Sequence, residues 1–136
     1  MYNKEKNNER KLIAINKFLA LKPDFSFVKL GVNQIDFKII NKDKHPVSYV
    51  DVMFRDKSLA TAYPLPVSAT VLIKLCKPRL NPIIIWACYD GIIYGEVKKI
   101  VGEFKWGGRS SRIGSLNDGE CMTYFPKQNS LKFIRY

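Results

Sequence analysis

The chain has 136 residues, of which 46% are hydrophobic, and its 23 lysines and arginines outnumber its 12 acidic residues. This length predicts a single domain over residues 1–136, and no apolar run approaches the ~18 residues of a membrane span. The formal net charge of +11 favours a polyanionic partner, nucleic acid before an anionic membrane surface, although a lysine-rich genome produces the same excess. The start of the chain lacks a signal-peptide pattern, so we expect a cytoplasmic location.

The first predicted element is a helix from Glu5 to Leu21, with apolar residues at helical spacing. Glu9 lies one turn before the apolar stripe, where a solvated glutamate and a functional acid are both consistent with the pattern. A short β-like run, Phe25–Leu30, follows.

Two apolar runs with strand-like alternation come next, Gln34–Ile40 and Val47–Arg55, separated by a polar loop. In each run one face is apolar and the other carries an aspartate. This pattern is typical of a hairpin that is covered on one face and functional on the other.

The register of this hairpin decides where the two aspartates lie. If Ile40 and Val47 close it, residues whose numbers sum to 87 face each other, and Asp36 lies opposite Asp51. Opposed like charges destabilise a sheet, so a divalent cation such as Mg²⁺ is the expected partner of the pair. A different register would leave one aspartate in solvent at a strand end.

The second half predicts a helix, a central hairpin, a glycine-rich loop and a short strand. These elements are Ala69–Cys76 with Ser68 as N-cap, Ile83–Cys88 joined to Ile92–Val97 by Asp90-Gly91, the loop Gly102–Leu116, and Met122–Phe125. The order of elements predicts an α+β (α/β-like) fold with a mixed central sheet.

Candidate nucleic-acid-binding residues lie in two basic segments. They are Lys74, Lys77 and Arg79 near the end of the second helix, and Lys105, Trp106, Arg109 and Arg112 in the glycine-rich loop. Arginines match phosphate oxygens, and a tryptophan can stack on an unpaired base. The alternatives are compensation of the helix dipole and a surface loop whose tryptophan packs on the sheet.

The order of features from Glu9 to Phe125 resembles the PD-(D/E)xK nuclease superfamily, in particular its small phage-type and resolvase-like members. The shared features are a helix with a glutamate, a strand with an aspartate, a strand with a second acid, a proline-rich segment and a further helix. The resemblance implies a restriction-endonuclease-like fold, Mg²⁺- or Mn²⁺-dependent DNA cleavage, a homodimer and, for a phage-encoded protein, the host cytoplasm.

The resemblance also implies site residues. Asp36 and Asp51 match the two motif acids that ligate the metal, and Glu9 matches the helix acid that some members use as an outer ligand. The motif lysine, two residues after the second acid, is Met53 here, and methionine cannot orient a nucleophile or offset charge on a phosphate.

Other lysines could replace the missing motif lysine. Lys38 and Lys57 are the first candidates and Lys74 is a later one. The absence of the motif lysine leaves open an inactive protein of the same fold, which binds nucleic acid or serves as a structural component of a virion or ribonucleoprotein.

Overall fold

The structure is a computed structural model that describes residues 4–31, 35–108 and 119–136. Its helices and strands, in chain order, are α1 (Lys4–Leu19), β1 (Ser26–Lys29), β2 (Phe37–Ile40), β3 (Pro46–Phe54), β4 (Leu65–Ser68), α2 (Ala69–Cys76), β5 (Asn81–Ala87), β6 (Gly91–Glu96), β7 (Glu103–Gly108), β8 (Gly119–Phe125) and β9 (Lys132–Arg135). None of the helices in this part of the chain is both long and apolar enough to span a membrane.

The strands form two sheets. The larger has the order β1-β2-β3-β5-β6-β9, in which β3 and β5 are parallel and the other neighbours are antiparallel. The smaller is antiparallel with the order β4-β8-β7. The predicted α+β class, with an N-terminal helix and a mixed central sheet, is confirmed.

The central strands of the larger sheet are buried on both faces, whereas its edge strands β1 and β9 are mostly exposed. Alternate residues of β3 and β5, such as Val52 and Ile85, pack with α1, whereas Ile84 and Trp86 lie in the core formed with α2 and the smaller sheet. A strand covered on both faces is continuously apolar, which explains the apolar run of β5. Trp86 also joins the two sheets, because its Nε1–H donates to the Pro66 carbonyl at 2.9 Å.

The predicted second helix is confirmed together with its cap. It spans Ala69–Cys76, and the Ser68 Oγ accepts a hydrogen bond from the Val71 N–H at 3.2 Å. Such a cap satisfies one of the backbone donors that the first turn leaves unpaired. The cap fixes the start of α2 and hence the level at which its side chains meet the sheet.

The predicted hairpin register is confirmed in its central part, because Phe37 faces Val50. The closing pair is different, since a bulge after Ile39 pairs Ile40 with Pro46 and not with Val47. A bulge inserts one residue into one strand only, which shifts the ladder on one side of it and leaves the other side unchanged. The aspartates lie on the unchanged side.

The bulge accompanies a compact turn between β2 and β3. The Asn41 Oδ1 accepts hydrogen bonds from the backbone N–H groups of Asp43 at 3.0 Å and His45 at 2.9 Å. Lys44 adopts a φ of 63°, which closes the turn earlier than the sequence predicted. Asparagine favours such turns because its short amide replaces a backbone acceptor.

The predicted loop Gly102–Leu116 is wrong over its first part. Glu103–Gly108 is strand β7, which pairs antiparallel with β8. The glycines at both ends obscured the alternation of this segment, since glycine normally weakens a strand assignment. Arg109 and Arg112 lie outside the residues that the structure describes.

Candidate functional site

Asp36 and Asp51 lie side by side where the β2–β3 ladder ends. Asp36 directly precedes β2, and its N–H donates to the Asp51 Oδ1 at 2.8 Å. In return, the Asp36 Oδ2 accepts a hydrogen bond from the Val52 N–H at 2.9 Å. Each carboxylate therefore binds a backbone amide of the opposite chain segment, in place of the next hydrogen bonds of the ladder.

Two lysines complete this site, one from each helix. The Lys11 Nζ of α1 lies 2.8 Å from the Asp36 Oδ1, and the Lys74 Nζ of α2 lies 3.8 Å from the Asp51 Oδ2. We call these four residues the carboxylate junction. Its formal charges cancel, so the repulsion between the aspartates is offset by lysines from the same chain.

The two aspartates differ in burial. The Asp51 side chain is 3% exposed, and its Oδ2 accepts no hydrogen bond from any residue that the structure describes. Burial raises the pKa of Asp51, and the charge of Asp36 raises it further, whereas the hydrogen bond from Asp36, then Lys74 and Lys11, act in the opposite direction. A buried carboxylate of raised pKa, with an oxygen that accepts no hydrogen bond, is typical of a functional site, because a purely structural acid is normally fully hydrogen-bonded.

The other predicted catalytic residues lie apart from this pair. Glu9 and Lys57 are exposed, and Lys38 is half-buried in β2. Over the described ranges, no ion pair or hydrogen bond joins any of the three to the aspartates, and no group of three or more acids, histidines or cysteines could hold a metal. The nearest cations are Lys74, a later candidate in the sequence, and Lys11, which the sequence analysis missed.

A signal for Lys11 was present in the helical periodicity. Lys11 precedes the buried residues Ala14, Ile15 and Phe18 by three, four and seven positions, so it shares their face of α1. A lysine at the end of a buried helical stripe must direct its ammonium to a carboxylate or to solvent. Here the ammonium reaches Asp36, which ties α1 to the start of β2.

The predicted nucleic-acid-binding residues that the structure describes are all partly or fully accessible. Lys74 is half-buried, and Lys77 and Arg79 are exposed around the end of α2. On β7, the Lys105 Nζ pairs with a Glu103 carboxylate at 3.8 Å and Trp106 is exposed; the alternative in which Trp106 packs on the sheet is wrong.

Comparison of the chain with known proteins found no match among family models, curated proteins or solved structures. The carboxylate junction and the positive charge of the chain are therefore the features from which a function is inferred.

Proposed function

We propose that the protein is a metal-dependent nuclease of PD-(D/E)xK type, with the carboxylate junction as its active site. One observation carries the proposal: Asp36 and Asp51 adjoin on neighbouring chain segments, and the buried Asp51 Oδ2 accepts no hydrogen bond from the described residues. The net charge of +11 supports a nucleic acid, and DNA by the family resemblance, as the substrate.

A divalent cation at the junction would take its protein ligands from the two carboxylates. Mg²⁺ is commonly held by one or two carboxylates, with water and substrate phosphates as its remaining ligands. The Asp51 Oδ2, which accepts no hydrogen bond from the described residues and has only the Lys74 ammonium 3.8 Å away, would be one such ligand. The Asp36 Oδ1 is held by the Lys11 ammonium, which can move away on its flexible side chain without breaking the backbone ladder. Bound Mg²⁺ or Mn²⁺ would polarise the scissile phosphate and lower the pKa of a water molecule.

Lys74 is the residue of this chain that can take the place of the missing motif lysine. Its side chain is 42% exposed, so the ammonium reaches both the buried Asp51 and the solvent from which a phosphate would approach. In that position it would offset the negative charge that develops on the phosphate during cleavage. Lys11 would act on Asp36, holding its carboxylate in place until a metal displaces the ammonium.

A second candidate function is nucleic-acid binding without cleavage, with or without a structural role in a virion or ribonucleoprotein. The charge balance of the junction favours it, because two lysines already neutralise the two aspartates without a metal. Met53, in place of the motif lysine, points the same way. In this alternative the aspartates serve to end the β2–β3 ladder.

A cleavage assay separates the two functions. Labelled linear, branched and single-stranded DNA would be incubated with Mg²⁺ or Mn²⁺ and the wild-type protein, Asp51→Asn or Asp24→Asn. Asp24 is an exposed aspartate that pairs with Lys42 at 3.1 Å, so it provides a matched control. We expect metal-dependent cleavage that Asp51→Asn lowers by at least about 100-fold, since a metal ligand supplies several kcal/mol of transition-state stabilisation.

The other outcomes are equally informative. DNA binding that weakens with salt, without cleavage by the wild-type protein, would replace the nuclease with the second candidate. Neither cleavage nor binding would contradict both functions and indicate a protein partner.

A further inference from the structure

Two large aromatic side chains stand in solvent on the edge strand of the smaller sheet. Phe104 is 66% exposed and Trp106 is 74% exposed, and both lie on the same face of β7 because they are two positions apart. Their attachment points are therefore separated by roughly 6.6 Å along the strand. We call this pair the β7 platform.

The β7 platform continues the inner face of the smaller sheet. In the sheet register Phe104 faces Thr123, which faces Val67 on the other side, and both of these neighbours are buried. The same face is therefore covered at Val67 and Thr123, whereas Cys121, opposite Trp106, is exposed like the platform. Exposed aromatic groups arranged in this way usually mark a binding surface.

Strand β7, which carries the platform, is held in place at the residues that directly precede it. Gly102 lies so close to the neighbouring strand that a Cβ atom there would be 2.6 Å from the Thr123 Cγ2 and 2.7 Å from the Phe125 ring. The side-chain amide of Gln128 accepts a hydrogen bond from the Val101 N–H and donates one to the Val101 carbonyl, both at 2.9 Å. Because the strand is held before a ligand arrives, little conformational entropy is lost on binding.

We propose that the β7 platform stacks on the bases of unpaired nucleotides, so that the nucleic acid bound by this protein has a single-stranded part. The proposal rests on the proposed function in one respect, that the ligand is a nucleic acid. A separation of roughly 6.6 Å is about twice the 3.4 Å spacing of stacked bases, which is the spacing of two parallel rings with one base between them.

The positive charge of the chain and the exposure of the two rings both favour a single-stranded nucleic acid as the ligand. Over residues 96–108 three lysines outnumber two acids, of which Glu96 pairs with Lys99 and Glu103 pairs with Lys105. The positive charge of the whole chain, +11, therefore attracts a phosphate backbone, and the segment that presents the rings contributes a small excess to it. Aromatic stacking tolerates any base, but it requires an exposed base face, which a duplex does not offer along its length.

Fluorescence tests the platform directly, because the chain has two tryptophans in opposite surroundings. Trp86 is fully buried, whereas Trp106 is exposed, so a ligand at the platform changes the emission of Trp106. The wild-type protein would be titrated at fixed salt with oligothymidylate and with an abasic oligonucleotide of equal length. We expect quenching by oligothymidylate only, and an affinity for it about five-fold or more above that for the abasic strand. Equal affinities and no quenching would overturn the proposal.

Variants confirm which residues carry the effect. Anisotropy of a labelled oligothymidylate would be measured with Phe104→Ala/Trp106→Ala and with Val101→Ala, whose side chain is 75% exposed beside the platform but is not aromatic. The double variant should lose about five- to ten-fold in affinity, and Val101→Ala should match the wild type. An unchanged affinity of the double variant for the oligonucleotide would overturn the proposal. If the wild type also self-associates and the double variant does not, the platform would instead bind a second copy of the chain.

The same titration separates this proposal from the nuclease. If oligothymidylate quenches Trp106 in a wild-type protein that does not cleave DNA, the platform proposal is supported and the nuclease proposal is overturned. Cleavage of DNA without quenching, and without an effect of the double variant, would retain the nuclease and overturn the platform.

Discussion

The carboxylate junction and the β7 platform depart from the usual distribution of side chains in opposite directions. At the junction, charged groups are withdrawn from solvent, with Asp51 only 2% exposed. At the platform, aromatic rings that normally fill a core stand in water, with Trp106 74% exposed. Each departure is of the kind that a ligand would relieve: a cation and a phosphate at the junction, a base at the platform. The two proposals therefore assign separable roles, chemistry to the junction and strand selection to the platform.

The largest expected effect comes from removing the charge of Lys74. Lys74→Gln should slow metal-dependent cleavage by about 100-fold, because the lost ammonium no longer offsets charge on the phosphate. It should leave the quenching of Trp106 unchanged, since it alters only the junction. Lys29→Gln, an exposed lysine of β1, is the matched control in single-turnover cleavage assays. Full activity of Lys74→Gln would mean that another cation, with Lys38 as the first candidate, replaces the motif lysine.

The converse variant alters the strand that carries the platform and leaves the residues of the junction unchanged. Gly102→Ala places a Cβ within 2.6 Å of Thr123 and should destabilise the protein by about 1–3 kcal/mol, the usual cost of overpacking. Urea denaturation measures this loss, and Gly31→Ala is a control in which the added Cβ meets nothing within 4 Å. Oligothymidylate binding should weaken as β7 shifts, whereas Mn²⁺ binding should persist. Equal stability of the two variants would show that β7 is not held at Gly102.

Metal binding at the junction should become stronger when Lys11, which competes for Asp36, is replaced. Lys11→Met keeps the apolar part of the side chain and frees the Asp36 Oδ1, which Lys11 holds at 2.8 Å. If a cation uses this carboxylate, the Mn²⁺ affinity should rise by about ten-fold, equivalent to the ~1.4 kcal/mol of a lost ion pair. Titration calorimetry measures it, with Lys17→Met on the same helix as the control. A lower affinity would show that Lys11 positions Asp36 and does not compete.

The smallest effect is on stability and has a defined pH dependence. Because the pKa of folded Asp51 is raised above 3.8, its ionised form disfavours folding. This cost is fully present above the folded-state pKa and disappears below 3.8. Asparagine does not ionise, so Asp51→Asn should be more stable than the wild type at pH 7.

Urea denaturation of both proteins over a pH series measures this difference. The advantage of Asp51→Asn should close as the pH falls towards 3.8. A variant that is less stable at pH 7 would mean that the lysines and the Asp36 N–H outweigh burial, and that Asp51 is structural. A gain in stability accompanied by a loss of cleavage is the pattern expected of an active-site residue.

The sequence was sufficient for the parts of the fold that depend on local periodicity. The assumed register, in which facing residue numbers sum to 87, placed Phe37 opposite Val50, and the cap at Ser68 located the second helix. The closing pair of the hairpin was wrong, because the turn depends on the asparagine side chain and on a φ of 63° at Lys44. Such details are conformational choices that a hydrophobic pattern does not contain.

The junction could be predicted only in part. The juxtaposition of Asp36 and Asp51 follows from the register of a single hairpin, which is local. The contacts of Lys11 and Lys74 depend on how two helices dock on opposite faces of the sheet, which the order of elements does not determine. The platform was predicted only through Trp106, and its strand and Phe104 were missed. The glycines around Phe104 and Trp106 are typical of a loop, yet the pairing of β7 with β8 overrides this local preference.

The junction also carries a consequence for the order in which this protein folds. The β2–β3 hairpin joins near neighbours in the chain, whereas Lys11 and Lys74 lie on helices that dock from before and after it. The parallel pairing of β3 with β5 requires a long connection to close first, and such non-local contacts form late. The four charges are therefore assembled only when both helices have docked, and a partly folded chain presents two aspartates without their lysines. Completion of the fold and completion of the site are one event.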